Sequence, residues 1–102
     1  MNAQYPHIPT EKIAAFCRKW QIAEFSLFGS VLRDDFGPNS DIDVLVAFSP
    51  AGAMTFESFL EMRDELSALF GGRNVDLVEK RLIRNPFRRH DILTTRRVVY
   101  AA

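Results

Sequence analysis

"FGSVLRDDFGPNSDIDVLVAF", residues 28–48, carries four acidic residues among apolar neighbours. Its second half, "DIDVLVAF" (residues 41–48), alternates and is rich in β-formers, which predicts a strand. Two carboxylates, Asp41 and Asp43, open that strand at i and i+2. Side chains so spaced point to one face of a strand, with Cα atoms about 7 Å apart. They repel each other unless a cation lies between them, and Mg²⁺, which takes oxygen ligands and keeps waters and substrate phosphates, suits such a clamp. An isolated pair of this kind is more commonly solvated surface, so the reading depends on what surrounds it.

Upstream, "EFSLF" (24–28) alternates and predicts another strand, with Phe25 and Leu27 on one face. Gly29 and Ser30 follow it directly, where a short helix can begin. Glycine lets backbone approach a ligand closely, and a turn that opens a helix offers N–H groups to an anion. The segment "DFGPNS" is rich in turn formers and reads as a loop. Downstream, "NVDLVEK" (74–80) predicts a third strand, with Asp76 set between Val75 and Leu77. A carboxylate there is costly to bury unpaired. Beside Asp41 and Asp43 it completes a three-carboxylate cluster at the rim of a sheet.

The remaining elements follow from periodicity. "PTEKIAAFCRKW" predicts a helix capped by Thr10, with Ile13, Phe16, Cys17 and Trp20 on its apolar face. "TFESFLEMRDELSALF" (55–70) predicts a second helix, with Phe56, Phe59, Leu60, Arg63, Leu66 and Phe70 along one stripe and "GGR" ending it. A short helix starting near Pro86 and a last strand in "RRVVYA" complete an α/β (α+β) domain, a small mixed sheet with packed helices, expected to span residues 1–102 as one unit.

Ser30 and Asp41 are separated by ten residues. Gly-Ser, ten residues, then Asp-Ile-Asp resembles the signature of nucleotidyltransferases related to DNA polymerase beta. The whole run 28–48, with "VDLV" and the tail "NPFRRHDILTTRRVVYAA", resembles the minimal nucleotidyltransferase (MNT) family in particular. The resemblance implies the polymerase-beta-like fold, and attack by a hydroxyl on the α-phosphorus of ATP with two Mg²⁺ ions bound. It implies that Asp41, Asp43 and Asp76 are the catalytic metal ligands and that Gly29, Ser30, Arg33 and Ser40 bind the nucleotide. Members often have Ala-Arg-Gly where this chain has Leu32, Arg33 and Asp34. Free-standing members are antitoxins of HEPN-type ribonuclease toxins, which implies a toxin partner in a hetero-oligomer and transfer of AMP to one of its tyrosines. Neutralisation by binding alone is the alternative.

Composition is consistent with this. The chain has 102 residues, 47% apolar and 25% charged, with zero net charge. No apolar run is long enough to span a membrane, and the N-terminus lacks a signal-peptide pattern. Cys17 is the sole cysteine, which excludes an intrachain disulfide or a cysteine-based zinc site. A cytoplasmic location is expected. Charge is nonetheless polarised: residues 1–79 hold six basic and twelve acidic side chains, and residues 80–102 hold seven and one. A neutral total argues against a dedicated nucleic-acid protein, while a basic tail suits a phosphate or an acidic partner. Arg84 and His90 superficially match the spacing of a HEPN nuclease motif, but Pro86 is expected to interrupt a helix between them.

Overall fold

The computed structural model describes residues 8–32, 37 and 39–102. Helix α1 (Thr10–Trp20) leads into strand β1 (Ile22–Phe28), a 3-10 turn (Gly29–Leu32), strand β2 (Ile42–Phe48), helix α2 (Phe56–Leu69) and strand β3 (Val75–Glu79). A second 3-10 turn (Lys80–Leu82), helix α3 (Pro86–Thr95) and strand β4 (Arg97–Ala101) complete it. The strands form one sheet in the order β3-β2-β1-β4. β1 runs antiparallel to both β2 and β4, while β2 and β3 are parallel, joined through α2. The mixed sheet with packed helices is thus the architecture expected from the alternation of patterns.

Strand alternation assigns the two faces. Phe25 and Leu27 of β1, Ile42, Val44 and Val46 of β2, and Val75 and Leu77 of β3 point one way. They pack with Ile13, Phe16 and Cys17 of α1 and Met62 and Leu66 of α2 in the main core. Phe28 and Leu45 point the other way and pack with Ile83 and with Ile92 of α3. Two helices therefore cover one face and α3 covers part of the other. Because α3 leaves the carboxylate end of that second face open, a cleft forms there.

Several local details depart from expectation. Thr10 does not cap α1: Pro9 is the N-cap residue and no side chain bonds there. Its carbonyl instead accepts the Ile13 N–H at 2.9 Å. Gln21 ends α1 in the left-handed region at φ 58°. Its carbonyl accepts both the N–H and the hydroxyl of Ser49, each at 2.9 Å, and so β1 begins at Ile22, two residues before the expected start. On α2 the buried stripe runs through Met62 and Leu66, whereas Phe56 is 78% exposed and Arg63 is exposed. A reciprocal cap between Thr55 and Ser58 fixes the start of α2, and Gly71 and Gly72 end it with positive φ. Pro86 does not break α3 but begins it, with Asn85 Oδ1 accepting the N–H groups of Phe87 and Arg88 at 2.9 and 3.2 Å.

Candidate active site

Sheet register brings the carboxylates together. Asp43 is the Cα partner of Phe28 on β1 and of Asp76 on β3, so Asp43 and Asp76 lie side by side on the face that α3 partly covers. Asp41 precedes β2 by one residue and is exposed, its Oδ1 accepting the Asn74 side-chain amide at 3.4 Å. The Asn74 carbonyl accepts the Ile42 N–H at 2.9 Å, which extends the β2–β3 pairing up to the site. Among the described residues no group of three carboxylate, imidazole or thiolate side chains is placed to hold a metal ion by itself. An ion held by these carboxylates would complete its shell with water and substrate oxygens, the usual habit of Mg²⁺.

The glycine turn meets the same point. Gly29 leaves β1 at φ +66°, and a Cβ there would lie 2.3 Å from Asp43 Oδ2. Only glycine allows this backbone to pass the carboxylate. Ser30 then donates its N–H to Asp43 Oδ2 at 3.2 Å, and its hydroxyl lies 3.3 Å from the same oxygen and 2.8 Å from the Asp41 carbonyl. Burial raises the Asp43 carboxyl above the ordinary carboxylate value of 3.8. The Ser30 hydrogen bonds offset part of this, while repulsion from Asp76 and Asp41 adds to it. A divalent cation would relieve that repulsion, so the donor set fits the Mg²⁺ that the resemblance implies.

Ser40 lies further off. Its hydroxyl accepts the Gly37 N–H at 3.0 Å, and its carbonyl accepts Arg73 Nη2 at 2.9 Å. Arg73 also donates to the Gly37 carbonyl, so it ties down the loop before β2. Arg33 falls outside the described residues. The turn at Gly29 and the pair Asp43 and Asp76 open onto a cleft of about 470 Å³. Its far wall is α3, through Arg88, Asp91, Ile92 and Thr95. Sequence reasoning missed this wall, although the i, i+3, i+4, i+7 spacing of those four residues was there to be read.

The nucleotidyltransferase domain family matches residues 10–99, and the chain belongs to that family. It is 35% identical over 69 residues to a protein adenylyltransferase of Methanocaldococcus jannaschii, an overlap of 68% of each chain. It is 34% identical over 67 residues to the protein adenylyltransferase MntA of Thermococcus cleftensis, covering 66% of this chain and 65% of that one. A minimal nucleotidyltransferase structure superposes with a TM-score of 0.68 at 30% identity, over 86% of each chain. A toxin–antitoxin structure with AMP-PNP has the same fold, with a TM-score of 0.73 at 23% identity over 93% of this chain and 75% of that one. So does the complex of a tri-AMPylated Shewanella oneidensis HEPN toxin with its MNT antitoxin, at 0.65 and 21%, over 91% and 70% of the two chains. Among the described residues no helix is long and apolar enough to cross a membrane.

Proposed function

We propose that this chain is an Mg²⁺-dependent protein adenylyltransferase. It transfers AMP from ATP to a hydroxyl, a tyrosine hydroxyl by family analogy, of a HEPN-type toxin, and thereby acts as an antitoxin. The observation that carries this reading is the register pairing of Asp43 with Asp76 beside the Gly29–Ser30 turn. The relatives named as protein adenylyltransferases support the acceptor class, and the AMPylated toxin held by an MNT antitoxin of the same fold supports the partner.

In this reading Asp41, Asp43 and Asp76 would hold the Mg²⁺ ions. Bound Mg²⁺ supplies charge neutralisation at the phosphates. The Ser30 N–H and hydroxyl, which meet Asp43 Oδ2 at 3.2 and 3.3 Å, are the donors that would serve the β- and γ-phosphates, and Gly29 leaves room for them. The acceptor oxygen forms a bond to the α-phosphorus, the bond from that phosphorus to the bridging oxygen breaks, and pyrophosphate leaves. Asp76, which is exposed at the cleft, takes the hydroxyl proton. Positioning and charge compensation dominate such phosphoryl chemistry, so no separate nucleophile on the enzyme is required.

The test is transfer of label from [α-³²P]ATP to a co-purified HEPN partner in Mg²⁺. Label is expected with the native chain and absent with D41A/D43A. Absence of label on the partner with the native chain would overturn the reading. One observation favours neutralisation by binding alone: Phe87, at the start of α3, is 85% exposed, and Leu82, five residues earlier, is 53% exposed. If D41A/D43A still protects cells from the toxin, masking is the operative mechanism.

A further inference from the structure

The adjacent arginines of α3 have different surroundings. Arg89 Nη1 donates to the Lys80 carbonyl at 2.8 Å and fastens α3 to the segment after β3. Arg88 lines the catalytic cleft, and its guanidinium makes no ion pair and no hydrogen bond among the described residues. It stays unpaired although Asp91, one turn along, and Asp43 and Asp76 across the cleft are the other ionisable groups lining that space. An arginine among three carboxylates usually pairs with one of them. This one lines the cleft with its planar fork of donors unpaired. It is also the sole cation among the described cleft-lining residues.

We infer that Arg88 is a nucleotide-binding residue that grips the triphosphate of ATP from the α3 wall. This rests on the adenylyltransferase reading and adds a residue to it. A guanidinium matches phosphate oxygens in a bidentate way that a lysine cannot. A triphosphate brings more negative charge than the turn donors of Gly29 and Ser30 can match, and Arg88 supplies a positive charge to the cleft that Asp43 and Asp76 also line. The same fork would also accept an acidic side chain of the acceptor protein, so nucleotide binding must be measured without the acceptor.

The experiment is calorimetric titration of the isolated chain with Mg²⁺ and AMP-PNP at fixed ionic strength, for the native protein, R88A, R88K and R84A. Arg88 is exposed, so melting temperatures close to the native value are expected for its variants. R88A should weaken AMP-PNP binding about 10- to 100-fold, as loss of a charge-assisted hydrogen-bond pair does. R88K should recover part of that loss. R84A removes another exposed charge, from the segment just before α3, and should stay within about twofold. Native-like affinity in R88A, or an equal loss in R84A, would overturn the inference. If R88A binds AMP-PNP normally and loses affinity only for the acceptor, the fork belongs to the acceptor and the inference is again wrong. Failure of the native chain to bind AMP-PNP would instead sink the adenylyltransferase reading, and this inference with it.

Discussion

Asp43 shows at the scale of one residue how the site trades stability for function. Burial and the neighbouring charges of Asp76 and Asp41 raise its folded pKa above the ordinary 3.8, despite the bonds from Ser30. The folded state therefore holds the proton more tightly than the unfolded chain. Its contribution to stability is present below 3.8 and is lost as pH rises through the elevated folded value. Neutralising the side chain should abolish this. D43N is expected to melt above the native protein at pH 7, to lose the native drop in stability on leaving acid pH, and to transfer AMP at least about 100-fold more slowly. Melting curves from pH 3 to 7, paired with a transfer assay, check both halves. G29A is the converse case, harming both. Its methyl would meet Asp43 Oδ2 at 2.3 Å, on a backbone at φ +66°. A strain of about 1–2 kcal/mol is expected for a non-glycine residue there, lowering the melting temperature by roughly 4–15 °C along with activity. The carboxylate spacing and the glycine were legible in sequence because they are local patterns. The bond from Ser30 to Asp43 was not, since it depends on how β1 and β2 register across thirteen positions.

At the scale of elements, what could be read was what one period dominates. β2 and β3 announce themselves by apolar alternation, and α2 by its length and caps. α3 carries a faint pattern because its buried contribution is nearly confined to Ile92, and arginines surround it. The α2 stripe was misplaced only in part: Leu66 and Phe70 are buried and Phe59 packs on the core, but Met62 takes the place expected of Phe56, which begins the helix and is exposed. Yet α3 forms the far wall of the cleft, so the element least visible in sequence completes the site. Its anchoring is thin: Ile92 packs on Phe28, Leu45 and Ile83, and Asn85 caps its first turn. I92A should cost about 2–5 kcal/mol, as truncation of a buried isoleucine does. Hydrogen exchange should show α3 amides opening before those of β2. If the variant loses stability evenly across both elements, α3 is not a separable wall.

For the whole molecule, the question is whether the two faces of the sheet behave as one cooperative body. Cys17 reports on this from the face opposite the cleft. It is fully buried with Ile13 and Phe16 of α1, and burial pushes its thiol from 9.0 up to about 12. Between those values the unfolded chain sheds the proton and the folded one does not, so stability falls as pH rises from 9 toward 12. At pH 8 a thiol reagent should therefore reach Cys17 only through opening of the fold. Nucleotide in the cleft stabilises the native state by RT ln(1 + [L]/Kd). If opening at Cys17 is global, Mg²⁺ and AMP-PNP at about 100 times Kd should slow its labelling by about 100-fold. The measurement is the labelling rate with 5,5′-dithiobis(2-nitrobenzoic acid), with and without nucleotide. A rate that nucleotide leaves unchanged would mean that α1 opens alone, and that the charge-bearing face and the main core are independent units despite sharing one sheet.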